Sequence, residues 1–207
     1  MAYELRFFSP ANVDGIDEDL ESLANRLGFK YKIRNKQFKE ESRTDLYFNL
    51  ERDDIGIKLR HGDLEVKITL PLESKKFVEN AVKSNIYKYT QKWLKIMKDK
   101  SDGSFNKVKI NEMLVRYGIN PIISNIDEIE TINVDKRRYL FNEIREGRTI
   151  KVEVALVRII NKYYYSISFE GESFNSIIFL ANELMSNFKA KYDFKPMHYP
   201  EFVRKCS

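Results

Sequence analysis

The clearest pattern in the chain runs from Gly56 to Pro71, GIKLRHGDLEVKITLP, where apolar and charged residues alternate on both sides of a His61-Gly62-Asp63 turn. Residues two apart in a strand share a face, so Lys58 and Arg60 point one way and Ile57 and Leu59 the other. Past the turn, Glu65 and Lys67 share a face, and Leu64, Val66 and Ile68 share the opposite one. The pattern predicts a β-hairpin with one apolar and one charged side. The same alternation predicts strands over Ala2–Phe8 (Glu4 and Arg6 together), Arg43–Leu50 (Asp45 and Tyr47) and Ile132–Phe141 (Lys136 and Arg138). Two more follow, over Thr149–Ile159 (Lys151 and Glu153) and Tyr163–Glu170, and the basic FKYKIR segment within Phe29–Lys39 is read as another.

Helical spacing marks the rest. Asp14–Leu27 carries Ile16, Leu20, Leu23, Ala24 and Leu27 on one stripe, with an acidic first turn and Gly28 just past its end. From Glu73 to Asp99 the stripe of Phe77, Ala81, Ile86, Tyr89, Trp93, Leu94 and Met97 predicts a long Lys-rich helix, with Trp93 packed in the core and Lys92–Lys100 solvated. A short helix spans Lys109–Tyr117, and a last one, capped by Ser173 or Asn175, extends to Lys191. The tail KPMHYPEFVRK closes a chain expected to form one domain over 1–207.

Composition narrows the chemistry. The 207 residues are 43% hydrophobic and 32% charged, with no long apolar run and no leader at Met1, so the expectation is a cytoplasmic protein that avoids membranes. Cys206 is the single cysteine and His61 and His198 the only histidines, which argues against disulfides and against Cys/His zinc sites. Any metal would be a hard cation on carboxylates. A net charge of +5, from 36 basic and 31 acidic residues, leans mildly toward an anionic partner; oligomeric state is not legible.

Seven or eight strands place Glu4, Arg6, Lys58, Arg60, Glu65, Lys67, Lys136, Arg138, Glu153 and Glu170 on charged faces. Either those faces meet water, with ordinary cross-strand ion pairs, or the sheet closes into a barrel with a charged lumen. Helices between the strands favour closure, because they cover the outside. In a lumen, clustered Lys and Arg would neutralise a polyphosphate, while carboxylates would hold Mg²⁺ or Mn²⁺.

Motifs in chain order add to this reading. The chain carries Ala2-Tyr3-Glu4-Leu5-Arg6-Phe7, Asp45-Leu46-Tyr47, Ile57-Lys58-Leu59-Arg60 and Lys67. Further on come Lys136-Arg137-Arg138, Glu153-Val154-Ala155-Leu156-Val157, Ser168-Phe169-Glu170-Gly171 and His198-Tyr199-Pro200-Glu201-Phe202. This ordered set resembles the motifs of the CYTH, or triphosphate tunnel metalloenzyme, superfamily over nearly the whole chain. The resemblance implies an α+β fold, an eight-stranded antiparallel β-barrel tunnel with helices packed outside. It also implies divalent-metal-dependent hydrolysis of a triphosphate-bearing substrate, whether inorganic triphosphate, a nucleotide or an RNA 5′ triphosphate.

On that resemblance, Arg6, Lys58, Arg60, Lys67, Lys136 and Arg138 would bind substrate phosphates. Glu4 and Glu170 would hold the metal, Mg²⁺ or Mn²⁺, and Glu153 and Glu170 would be the catalytic pair, Glu153 orienting water or a second ion. Glu65 is read as a cross-strand partner of a lysine, Asp45 and Tyr47 as wall residues, and His61 and His198 as surface or packing residues. The departures from the family pattern fall on acids: Ala2, Val157 and Ser168 stand where carboxylates are usual. They motivate an alternative, a protein that binds polyphosphate, nucleotide or RNA ends with catalysis weakened. An adenylyl-cyclase-like reaction is a third reading.

Overall fold

A computed structural model describes residues 2–11, 20–70, 90–100, 107–120, 129–186 and 192–206. Its strands are β1 (Ala2–Pro10), β2 (Lys39–Phe48), β3 (Ile55–Arg60), β4 (Asp63–Leu70), β5 (Gln91–Lys100), β6 (Thr131–Arg145), β7 (Arg148–Ile159) and β8 (Lys162–Gly171). They pair in the order β5-β4-β3-β2-β6-β7-β8-β1, and β1 pairs back onto β5, closing the barrel. Every pairing is antiparallel. The closed eight-stranded barrel is the architecture that the resemblance implied, and a two-residue strand β9 (Lys195–Pro196) adds to the outer edge of β1.

Tight turns set the register. The two residues between β3 and β4 (His61, Gly62), β6 and β7 (Glu146, Gly147), and β7 and β8 (Ile160, Asn161) all have positive φ. This is the backbone of mirror-image hairpin turns, whose twist matches that of the flanking strands. Arg60 therefore faces Asp63, Arg145 faces Arg148 and Ile159 faces Lys162, and a one-residue slip would turn every charged side chain outward.

Four of the helices cover the strands' outer faces. Leu5, Phe7, Tyr139, Phe141, Val152, Val154, Ile167 and Phe169 form one outer core. It is covered by α1 (Leu20–Ala24), α2 (Lys30–Arg34) and α4 (Phe174–Met185). Ser173 caps α4 by accepting from the Ser176 amide. Ile55, Ile57, Leu64, Val66 and Ile68 form a second outer core against Ile110 and Leu114 of α3 (Lys107–Arg116). Fully burying each such side chain contributes about 1.5–3 kcal/mol.

Two expected elements differ. The FKYKIR segment is helical: Phe29 and Ile33, one turn apart, pack on the outer core while Tyr31 between them is exposed, whereas a strand would have put all three on one face. Gly28 (φ 91) is a kink of non-helical backbone between two helices, so a second helix follows directly and the one read over Asp14–Leu27 ends at its glycine as expected. Residues 12–19 of that helix lie outside the described residues. The long helix expected over Glu73–Asp99 is a strand in its last part, because β5 must pair with both β4 and β1 to close the barrel; residues 71–89 lie outside the described residues. Residues 187–191 of the last predicted helix are likewise outside them.

The tail forms α5 (Tyr199–Cys206), and its position shapes the lumen. Its Tyr199, Phe202 and Val203 are buried against Phe8, Tyr47, Ile132, Val134, Ala155, Val157 and Ile159, all of which point inward by strand parity. Phe8 stacks on Phe202 at 3.6 Å between ring centroids and Tyr47 on Tyr199 at 5.0 Å. One end of the barrel is thus filled with apolar and aromatic side chains, and the other end is a cup. No described helix is long and apolar enough to cross a membrane.

Candidate functional site

Strand pairing brings every sequence-predicted site residue to one cavity. Glu4 stands opposite Glu170, Arg6 opposite Ser168, and Glu153 opposite Ser168 and Leu140. Lys58 stands opposite Glu65 and Tyr47, and Lys67 opposite Gly56. Glu4, Arg6, Lys58, Arg60, Lys67, Lys136, Arg138, Glu153 and Glu170 all line a cup of about 990 Å³. Twelve Lys or Arg residues line it against four Glu, so an empty cup is strongly electropositive.

The carboxylates organise the cations. Glu153, 5% exposed, accepts hydrogen bonds from Arg6 Nη1 at 2.7 Å and Lys136 Nζ at 3.4 Å, and another from Arg138 Nη1. Burial pushes its pKa up, but these three cations overcome it and hold the carboxyl well below its ordinary value. Asp45, fully buried, accepts from Arg60 Nε at 2.9 Å and Nη2 at 3.1 Å, with Lys58 Nζ at 3.5 Å and Arg43 Nε at 3.3 Å. Burial again opposes ionisation, and the Arg60 hydrogen bonds with the Lys58, Arg60 and Arg43 charges again prevail. Glu65 lies within 4 Å of Lys58, Arg60 and Lys95. Glu4 accepts from Arg6 Nε at 2.9 Å and lies 3.9 Å from Lys67.

The lysines carry the reverse shift. Lys136 is pushed down to about 7, first by burial and then by Arg6 and Arg43, with Glu153 and Asp45 opposing. Lys58 is held well below its ordinary value by burial, with Arg60, Lys67 and Lys136 adding to it against Asp45. Its ammonium also lies 3.4 Å from the Tyr47 hydroxyl. Both ammonium groups therefore hold their protons less tightly than an exposed lysine does.

The donor set for a cation is thin. Among the described residues no three carboxylate, His or Cys side chains group as metal ligands. Glu153 has its oxygens taken by cations, and Glu4 is half engaged. Glu170 makes no ion pair among the described residues and lies on the strand next to Glu4. Mg²⁺ is commonly held by one or two carboxylates together with substrate phosphate oxygens, so Glu4 and Glu170 fit an ion that arrives with its phosphates. The three departures sit in different places. Ala2 and Ser168 line the cup, whereas Val157 is fully buried beneath α5.

Other lining residues were not singled out as site residues in the sequence. Arg43 follows from parity with Asp45, and Lys151 from parity with Glu153. Lys95 and Trp93, opposite Lys67 and Thr69 in β5, were hidden by the helical spacing of their segment; Trp93 is buried, as expected, but against the mouth of the cup. Lys32, Lys36 and Lys39 of the α2–β2 connection complete the rim. His61 is exposed on its turn, and His198 lines the cup with its pKa lowered, chiefly by burial. No periodicity could have placed Tyr199 at the floor, since only the return of the tail brings it there.

No protein-family model matches the chain, and no curated protein matches it in sequence. Among solved structures, a candidate adenylate cyclase from Bacillus halodurans is similar over 93% of this chain and 94% of its own, with 14% identity and a TM-score of 0.43. The S. pombe RNA triphosphatase Pct1, solved in complex with the Spt5 CTD, is similar over 91% of this chain and 78% of its own, with 9% identity and a TM-score of 0.32. Likenesses this distant leave the chemistry of the cup to be read from its own side chains.

Proposed function

We propose that the cup binds the phosphate chain of a triphosphate-bearing compound and hydrolyses it when a divalent cation enters with the substrate. The observation that carries this reading is the lining itself, twelve cations to four carboxylates in a blind, half-enclosed space. Three cations surround each of the carboxylates Glu153, Asp45 and Glu65, so the guanidinium groups of Arg6, Arg60 and Arg138 are fixed before a ligand arrives. Arg forks match phosphate oxygens through paired N–H donors, and fixed cations stabilise charge that develops on a phosphoryl group without having to reorganise. Lys136, low in the cup and with its pKa pushed down to about 7, takes up a proton as negative charge approaches.

Mg²⁺ or Mn²⁺, held by Glu4, Glu170 and the phosphates, would supply Lewis-acid polarisation of the phosphoryl group. In this reading Glu170 has a free carboxylate for that ion, Glu153 holds the Arg6–Lys136–Arg138 cluster in place, and Arg6, Lys58, Arg60, Lys67, Lys136 and Arg138 hold the substrate. Inorganic triphosphate, nucleotides and RNA 5′ ends all present this chemistry.

A second reading, binding without turnover, is favoured by one observation: Glu153 is fully engaged by cations, and Ala2, Val157 and Ser168 offer no carboxylate. Phosphate release from tripolyphosphate and ATP with Mg²⁺ or Mn²⁺ separates the two. Release that falls at least tenfold in Glu170→Ala supports hydrolysis; calorimetric binding in EDTA with no release under any metal supports the second reading; and no binding in either condition overturns both.

A further inference from the structure

The floor of the cup holds a group that neither phosphate clamp nor metal chemistry accounts for. Tyr199 is 8% exposed, and its hydroxyl has no hydrogen-bond partner among the described residues. The hydroxyl is set among charges, with Arg6, Arg43, Asp45 and Glu153 all acting on it. The Arg6 guanidinium carbon lies 4.9 Å from the ring centroid and Lys136 Nζ 4.3 Å from it, while the ring is clamped by Tyr47, Phe8 and Phe202. Buried polar atoms are nearly always paired, and one left over in a lined cavity marks the place of something that visits it.

The nearby acceptors are already committed. Glu153 receives Arg6, Lys136 and Arg138, and Asp45 receives Arg60 and Lys58. What the hydroxyl lacks is an acceptor, and the basic side chains around it favour an anionic one. Burial also holds the phenol well above its ordinary pKa, so it stays a donor.

The floor is also closed. Beyond Tyr199 the lumen is filled by Phe202 and Val203 packed on Val157, Ile159, Val134 and Ile132, and Pro200 comes close enough that a Cβ on Gly56 would sit 3.4 Å from its Cγ. A phosphate chain therefore cannot thread through the barrel past this end. Resting on the reading of the cup as a phosphate site, we propose that the ligand is held by a free terminal phosphoryl group, to which the Tyr199 hydroxyl donates a hydrogen bond at the blind end. The ligand class is therefore compounds with an unblocked phosphate terminus, whatever group remains at the mouth.

The test is calorimetry in EDTA with tripolyphosphate, ATP and diadenosine tetraphosphate, whose phosphate chain is blocked at both ends, on wild type and Tyr199→Phe. Loss of one hydrogen bond to a charged acceptor predicts a roughly tenfold weaker affinity for tripolyphosphate and ATP in the variant. Diadenosine tetraphosphate is expected to bind wild type at least about a hundredfold more weakly than tripolyphosphate. Thermal unfolding of the ligand-free variant should match or exceed wild type, because a hydroxyl without a partner stabilises nothing. Affinity of the variant within twofold of wild type, a marked loss of its ligand-free stability, or tight binding of diadenosine tetraphosphate would each overturn the assignment while leaving the cup a phosphate site. Failure of wild type to bind tripolyphosphate both in EDTA and with Mg²⁺ would overturn the reading on which it rests.

Discussion

The two ends of the lumen are built on the same strands and the same inward-facing parity, yet they have opposite character. Along β7, Lys151 and Glu153 face the cup, whereas Ala155, Val157 and Ile159, next on the same face, are dry and packed. Along β1, Glu4 and Arg6 give way to Phe8 in the same manner. The difference is α5, which supplies Tyr199, Phe202 and Val203 to one half and leaves the other for water or an anion. A barrel interior can be a core or a binding site, and here one tail decides where the first ends and the second begins.

The largest expected effect comes from putting charge into the dry half. Ile132→Asp places a carboxylate among apolar side chains, opposite Tyr47 instead of a cation, and is expected to lower stability by about 3–5 kcal/mol or to prevent folding. Ser168→Glu, in the charged half beside Arg6, should change stability by less than about 1 kcal/mol. Urea unfolding of both compares them directly, and equal losses would mean that the two halves do not differ as described.

Next comes the cation cluster. Glu153→Gln leaves Arg6, Lys136 and Arg138 close together without their shared partner, at a cost of about 3 kcal/mol. Tripolyphosphate at saturating concentration should then raise the melting temperature of the variant by more than it raises that of wild type, because the anion replaces the lost charge.

A smaller effect is one of protons. Lys136 titrates near 7 in the free protein against an ordinary value of 10.5. Between those values the folded protein holds fewer protons than the unfolded chain, so the ligand-free protein gains stability as pH rises from about 7. Binding has the opposite sign: an anion raises the lysine pKa, the complex takes up a proton, and affinity falls by up to about tenfold per pH unit above 7. Calorimetry at pH 8.5 in buffers of different ionisation enthalpy measures the uptake, which Lys136→Met should remove.

The smallest concerns Glu170, which no described cation engages. Glu170→Ala should alter stability by less than about 0.5 kcal/mol and leave metal-free affinity for tripolyphosphate unchanged, while removing any gain from Mg²⁺. A large stability loss would show that the carboxylate has a structural partner.

Much of this comparison was legible before any coordinates. Two-residue alternation placed Lys58, Arg60 and Lys67 on one face because the strand period is two, and the His61-Gly62 turn then fixed their register. It did the same for Glu4 with Arg6 and for Lys136 with Arg138. Alternation fails where one segment fits two periods. Trp93 and Leu94 suit a helical stripe as well as a strand, and only closure of the barrel on both β4 and β1 selects the strand. In FKYKIR the conflict ran the other way: Phe29 and Ile33 pack on the outer core while Tyr31 between them is exposed, which only a helix allows.

By itself, then, the sequence determined the strands, their charged faces and the set of cations that could share a lumen, because these depend on neighbours two residues apart. Which carboxylates would be consumed by those cations, where the lumen would end, and that Tyr199 would stand unpaired at its floor were decided only by the tertiary structure. These depend on residues such as Arg6, Glu153 and Tyr199, far apart along the chain, that meet only once the barrel closes and the tail packs into its end.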